Sequence, residues 1–227
     1  MNKQDNKDIL NKDFFNRDTI SVAKDLLGKI IVRNKDGICY RAMIVETEAY
    51  LGIEDRAAHT FAGRKTERNK IMYEDSGTIY VYQTYGIHYL MNFVTLGIGI
   101  PEAVLIRAVE PLDNINQMAI NRFGLSIDDL SLYQKRNITN GPGKLTKALD
   151  IDKELNGKNL FNNDLYVIDN NITFEIEIDK RIGIDYAKEA VDFPYRFYIK
   201  DNKHVSRLKK ITHSWVIFVL VYFKSLV

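Results

Sequence analysis

The sequence predicts an α+β fold, a single mixed domain with a curved, mainly antiparallel sheet, a protruding β-hairpin and flanking short helices. Three observations point to it. Pairs of strand-like segments are joined by turns short enough to make hairpins, at residues 34–37 and around Tyr85-Gly86. The helical stretches between them are brief. After residue 150 the chain alternates short strands with turns, and no internal repeat stands out.

In chain order, Asp18 is the expected N-cap of a helix carrying Ile20, Ala23, Leu26 and Leu27, ended by Gly28. Residues 29–33 form a strand, 34–37 a polar turn ending in glycine, and 38–50 a long second strand. Two-residue alternation puts Ile44, Glu46, Glu48 and Tyr50 on one face if no bulge intervenes. Residues 51–70 are irregular and basic, with Arg56, Arg64, Lys65, Arg68 and Lys70. Strands 78–84 and 87–95 make the protruding hairpin, and strand 102–109 carries Arg107 inside an apolar run. Helices are expected at 112–122 and 127–134, the second opened by Ser126 with Asp129 three residues on. A rigid Asn140-Gly-Pro-Gly loop leads into a helix at 144–149. Strands at 165–168, 173–178 and 195–200 follow.

The 227 residues include 45% hydrophobic and 27% charged side chains, enough for a real core and too apolar for a disordered chain. With 4 prolines and 13 glycines there is no linker at which to divide it, so one domain is expected over residues 1–227. A net charge of +2 neither identifies nor excludes a nucleic-acid binder. The single cysteine, Cys39, has no internal disulfide partner and reads as a small hydrophobe in a strand. No Cys/His set has zinc spacing, so no metal is expected. Residues 1–13 are polar and mixed in charge, unlike a signal or transit peptide, and a reducing cytoplasm fits. Residues 215–223 are nine consecutive apolar residues, where a spanning helix needs about 18–20. No membrane association is expected.

Several residues attract chemical attention. Five of the 13 tyrosines fall between Tyr73 and Tyr89, in one predicted hairpin. Clustered tyrosines on paired strands ordinarily make a half-buried face. Tyr85 at the hairpin tip has little core to bury into, and aromatics beside cations stack on unpaired bases while holding phosphates. For Glu46 and Glu48, the plain expectation is that one meets solvent or pairs with an arginine such as Arg107. The chemical one is a strand carboxylate acting as general base. His59 alone is an ordinary loop histidine. Gly141-Pro-Gly-Lys-Leu fails as a phosphate loop, since Ile138 and Leu145 occupy the positions that need Gly and Ser/Thr. Backbone N–H groups there, with Lys144 and Lys147, remain a candidate grip for one phosphate.

Together these segments resemble the alkyladenine (methylpurine) DNA glycosylase family. The likeness runs from Leu26-Leu27-Gly28 through Ile44-Val-Glu-Thr-Glu-Ala-Tyr-Leu-Gly52, Asp55-Arg-Ala-Ala-His59 and Gly77-Thr-Ile-Tyr-Val-Tyr-Gln-Thr-Tyr-Gly86. Met91-Asn92, Val104-Leu-Ile-Arg-Ala-Val-Glu-Pro111, Asn140-Gly-Pro-Gly-Lys-Leu145, Arg181-Ile-Gly-Ile184 and Arg196-Phe-Tyr198 continue it, over about residues 14–206. The resemblance implies hydrolysis of the bond between a damaged purine and deoxyribose in duplex DNA, after the base has been flipped out. It implies Glu48 as the general base and Arg107 as its partner. Tyr50, His59, Tyr82, Asn92 and Ile182 would line the base pocket, the backbone carbonyl of Ile182 would be a ligand of the water, and Tyr85 would be the wedge entering the duplex. Arg64, Lys65, Arg68 and Lys144 are the candidate contacts to the DNA backbone. No cofactor, a monomer acting on nucleoid DNA in the cytoplasm of a bacterial-type cell, and an intact abasic site as product are implied too.

The family pattern stops near Ser206, so residues 207–227 are an atypical apolar tail, expected to be dispensable. Two rivals stand beside the enzyme. A non-catalytic protein binding damaged DNA has no need of Glu48. An RNA-binding module stacking bases on the 80–89 strands lacks the expected RNP motif.

Overall fold

The computed structural model describes residues 9–206; the apolar run at 215–223 and the first eight residues lie outside them. The strands are β1 (Ile30–Lys35), β2 (Ile38–Tyr50), β3 (Ile79–Thr84), β4 (His88–Thr95), β5 (Glu102–Asp113), β6 (Leu165–Ile168), β7 (Ile176–Asp179) and β8 (Arg196–Ile199). The helices are α1 (Lys12–Phe15), α2 (Thr19–Asp25), α3 (Ile115–Phe123), α4 (Leu132–Arg136) and α5 (Pro142–Ala148). All eight strands join one antiparallel, curved sheet ordered β3-β4-β5-β2-β1-β6, with β8 pairing both β2 and β7. This is the expected α+β architecture.

Local chemistry explains most boundaries. Asp18 caps α2 by accepting from Ser21 N. The β1–β2 turn is two residues, Asp36 and Gly37, both at positive φ (50° and 78°), the left-handed geometry that matches strand twist. Asn34 and Lys35 therefore stay in the strand rather than the turn. The expected helix at 112–122 starts later because β5 runs on to Asp113, opposite Arg41, before Asn114 turns the chain at φ 55°. The single helix expected at 127–134 is two pieces. A 3-10 turn at Ile127–Asp129 is capped by Ser126, Leu130 is extended and buried, and α4 opens with its own capping box, Ser131 with Gln134. α5 begins at Pro142 rather than Lys144, since proline suits the first helical position. The strands expected at 173–178 and 195–200 are β7 and β8 with shifted ends. Cys39 lies in β2 as expected, but is exposed rather than buried. Tyr73 sits on a 3-10 turn (Lys70–Tyr73) outside the hairpin.

β2 is the spine of the sheet, and its register positions the site. One edge pairs with β5 along its length; the other pairs with β1 up to Met43 and with β8 at Glu46, Thr47 and Glu48. Ile44 lies opposite Val109 and Glu46 opposite Ala108, so Val45 is an extra residue. Thr47 then lies opposite Ile106, leaving Arg107 without a ladder partner on β5. The bulge changes the alternation. Ala42 and Ile44 face the main core, and after the extra Val45 it is Ala49 that does so, while Thr47 donates to the Ala23 carbonyl of α2 at 2.8 Å. Ile44 is thereby taken off the face it was expected to share with Glu46, Glu48 and Tyr50. Phe15, Leu26, Phe93, Met118 and Leu145 fill the same core from the helices and β4. Truncating such a side chain to alanine costs about 2–5 kcal/mol.

Candidate active site

The tip of the β3–β4 hairpin is Tyr85-Gly86-Ile87, closed by the Thr84–His88 pair. Tyr85 is 91% exposed and holds φ 51°, a left-handed conformation that a non-glycine residue adopts only at a cost. Behind the tip, β3 turns Tyr82 toward an open cleft of about 870 Å³. Tyr50, His59, Tyr82, Tyr85, Asn92, Arg107 and Ile182 all line it. The sheet thus gathers residues spread over more than a hundred positions.

The aromatic wall is built by edge contacts. The rings of His59 and Tyr82 meet in a T-shape at 4.6 Å, and Tyr80 lies 5.4 Å from Tyr82. His59 Nδ1 is 3.0 Å from the Tyr80 hydroxyl. Burial, helped by the charges of Arg68 and Arg64, lowers the His59 pKa from 6.5 to about 4, so its ring is neutral at physiological pH. Burial also pushes the Tyr80 hydroxyl up to about 12 and the Tyr82 hydroxyl higher still. Asn92 Nδ2 donates to the Tyr80 carbonyl at 3.1 Å, which fixes the amide in the cleft wall.

Neither Glu46 nor Glu48 meets solvent; both are wholly buried. Glu48 Oε1 accepts from Ile182 N at 2.7 Å and pairs with Arg107 Nη1 at 3.1 Å. Its Oε2 accepts from the Tyr50 hydroxyl at 2.8 Å. Glu48 thus sits behind Arg107, Tyr50 and Ile182, three residues that line the cleft. Arg107 is shared, since its Nε also reaches Glu46 Oε1 at 3.3 Å. Burial alone would lower the Arg107 pKa, but the carboxylates of Glu48 and Glu46 outweigh it and hold the guanidinium more firmly charged than usual. Burial and the neighbouring Glu48 charge push the Tyr50 hydroxyl well above its ordinary range, so it remains a donor. Ile182 touches Glu48 through its N–H, whereas the resemblance assigned a role to its carbonyl.

The candidate backbone contacts separate. Arg68 and Lys144 line the cleft. The Arg68 guanidinium lies 5.0 Å from the Tyr82 ring centroid and donates to the Gln83 carbonyl at 3.2 Å. Lys144 Nζ donates to the side-chain oxygens of Asn137 and Asn140 at 2.7 and 2.8 Å. Arg64 lines an adjoining groove with Arg56, Phe61 and Tyr186. Lys65 lines neither; it is exposed, with its ammonium 4.8 Å from the Tyr73 ring centroid.

Sequence reasoning passed over several residues. Arg181 and Asp55 form a buried ion pair, with Nη2 donating to Oδ1 at 2.8 Å, and the guanidinium lies 4.7 Å from the Tyr50 ring centroid. Arg196 pairs with Glu46 from β8. A charged residue inside an apolar strand segment singled out Arg107, and the same signal was present at Arg196. Among the described residues, no group of three or more His, Cys, Asp or Glu is placed to hold a metal ion, and no helix is long and apolar enough to cross a membrane.

Comparison with known proteins supplies the family. The model of the methylpurine-DNA glycosylase family matches residues 13–203, a span that contains Tyr50, His59, Tyr82, Tyr85, Asn92, Arg107 and Ile182 of the cleft wall and the buried Glu46 and Glu48. A protein of Clostridium novyi (strain NT), provisionally named a 3-methyladenine DNA glycosylase, is 55% identical over 199 residues, 87% of this chain and 98% of that protein. Similarly named proteins of Desulfitobacterium hafniense (strain Y51) and Clostridium botulinum (strain Alaska E43 / Type E3) are 50% and 48% identical over 198 and 200 residues. These matches cover 87% and 88% of this chain and 98% and 99% of the two relatives. Matched over most of its length, the chain belongs to the methylpurine-DNA glycosylase family, and the protein is a DNA glycosylase of DNA repair.

Proposed function

We propose that this glycosylase flips alkylated or deaminated purines out of duplex DNA and hydrolyses the N-glycosidic bond with a water activated by Glu48. The carrying observation is the setting of Glu48, a buried carboxylate directly behind the cleft wall with three fixed donors. Oε1 is occupied by Ile182 N–H and Arg107, while Oε2 accepts only from Tyr50 among these and keeps acceptor capacity for a water. As water attacks the anomeric carbon, Glu48 takes its proton, and its charge favours the oxocarbenium-like transition state. Arg107 holds the carboxylate in place.

Tyr85 enters the duplex and fills the gap left by the flipped nucleotide. The base stacks among Tyr50, His59 and Tyr82, whose electron-rich faces add a cation–π attraction for an alkylated, positively charged purine. A neutral His59 adds no positive charge of its own against that attraction. Asn92 crowds the exocyclic amino group of guanine. Arg64, Lys65, Arg68 and Lys144 bind phosphates of the flanking backbone. The protein acts as a monomer in the cytoplasm, and with no lysine nucleophile in the reaction the strand stays intact beside the abasic site.

The test is incubation with duplex DNA carrying one hypoxanthine and, in parallel, with methylated DNA, scoring released bases and abasic sites without added metal. Release from either substrate is expected, and Glu48→Gln should lower it by roughly 100-fold or more while lesion binding persists. A folded protein that binds both lesions and releases neither would instead make it a non-catalytic binder of damaged DNA.

A further inference from the structure

Glu46 has no part in the chemistry proposed above, yet it is fully buried and both its oxygens are engaged. Oε1 accepts from Arg196 Nη1 at 2.8 Å and Arg107 Nε at 3.3 Å, and Oε2 accepts from Ser206 N at 2.7 Å. Leaving a carboxylate in such a place requires a reason, because desolvating it is costly and apolar packing would serve stability as well.

The contacts close into a circuit. From Glu46, Arg107 leads to Glu48 Oε1. Also from Glu46, Arg196 leads to the Lys180 carbonyl through its Nε at 3.0 Å and to Asp179 through Nη2 at 2.9 Å. Two residues beyond Lys180, Ile182 N–H returns to the same Glu48 Oε1. Both branches converge on one oxygen of the carboxylate at the cleft wall. The register makes this possible: Arg107 comes from β5 on one side of β2 and Arg196 from β8 on the other. Glu46, Glu48, Arg107 and Arg196 sum to zero charge.

We infer that Glu46 is a positioning residue for excision, holding Arg107 and the Asp179–Ile182 turn so that Glu48 Oε1 is fixed and Oε2 is left to the water. The inference rests on the reading of Glu48 as the general base. Without Glu46, Arg107 keeps Glu48 and the Ser206 hydroxyl at 3.4 Å but loses the carboxylate on its Nε, which frees its guanidinium to rotate. Arg196 keeps Asp179 and the Lys180 carbonyl but no longer ties that turn to β2 through its guanidinium. Small displacements of a catalytic group are enough to cost roughly 100-fold in rate.

The experiment measures single-turnover excision, lesion-DNA affinity and melting temperature for Glu46→Gln, Glu48→Gln and the double variant. Glu46→Gln should slow excision by roughly 10- to 100-fold with lesion affinity unchanged, and should lower the residual rate of Glu48→Gln no further. Wild-type excision by Glu46→Gln overturns the inference, as does an equal loss in both backgrounds or a parallel loss of lesion binding. Should Glu46→Gln fail to fold, Glu46→Gln with Arg196→Gln keeps the buried charge balanced. Slow excision by that folded protein supports the inference; a wild-type rate or a failure to fold overturns it. If Glu48→Gln excises normally, it is the base assignment that falls, whatever Glu46→Gln does.

Discussion

His59 Nδ1 and the Tyr80 hydroxyl stand 3.0 Å apart as a neutral pair, one held unprotonated and the other protonated by burial. The sign of the resulting pH dependence follows from linkage. In the unfolded chain His59 takes up a proton near pH 6.5, and in the folded protein only near 4. Its contribution to stability is therefore complete above 6.5 and is lost as pH falls toward 4. Burial lowers the His204 pKa too, which adds a loss of the same sign. His59→Gln should melt less steeply with acidification than the wild type between pH 7 and 4.5. Parallel melting curves for the two would remove His59 from this role.

The Asp55–Arg181 pair supports the cleft from behind, because Arg181 packs beneath Tyr50. Asp55→Asn leaves a buried guanidinium without its counter-charge and should cost about 3–5 kcal/mol in urea unfolding. Lesion affinity should fall with it as the Tyr50 ring loosens. Stability within 1 kcal/mol of wild type, by the same ~25 °C measurement, would show the pair to be redundant.

Tyr85 separates stability from binding. Its left-handed backbone suits glycine, so Tyr85→Gly should leave stability unchanged or raise it by up to about 1 kcal/mol. Lesion-DNA affinity should nevertheless drop about tenfold or more, as wedge insertion contributes binding energy. The comparison belongs at several salt concentrations, because phosphate contacts weaken as salt rises. Unchanged affinity throughout would take Tyr85 out of the duplex.

Chain ends provide a further test. A chain ending at Lys210 should excise normally and be more soluble, having lost the apolar run. One ending at Asn202 removes Val205, which is buried in the main core, and Ser206, which donates to Glu46. It should lose melting temperature and excision together. Excision at the wild-type rate by the shorter chain would contradict the place given to Ser206.

Much of this was legible in the sequence, for physical reasons that also mark its limits. β2 and β6 have their expected bounds because turn-forming residues flank both, Asp36-Gly37 before β2 and Gly52 soon after it, Asn163-Asp164 before β6 and Asp169-Asn170 after it. The segment 112–134 was misjudged where tertiary packing overrides local pattern. Leu112 lies in a strand that follows its partner β2, and buried Leu130 breaks what looked like one helix. In the cleft, Tyr50, His59, Tyr82, Asn92 and Arg107 came from dense local motifs. Asp55 with Arg181 and Glu46 with Arg196 are pairs separated by more than a hundred residues, and nothing in either neighbourhood names the other. The face shared by Ile44, Glu46, Glu48 and Tyr50 was conditional on an unbroken strand, and the bulge that breaks it leaves no local mark in an apolar run.

That bulge makes chain length, more than side-chain identity, the quantity protected in this part of β2. Val45 works like a spacer between two reading frames: even positions face the core before it, odd positions after it. Isoleucine in its place would keep both frames. Deleting it would leave Ile44 and Glu46 as neighbours on opposite faces, so both frames would survive, whereas one further residue inserted beside it would turn Thr47 and Ala49 to the cleft and the two carboxylates to the core. A one-residue insertion here should therefore do more damage than the deletion or any single substitution in the strand.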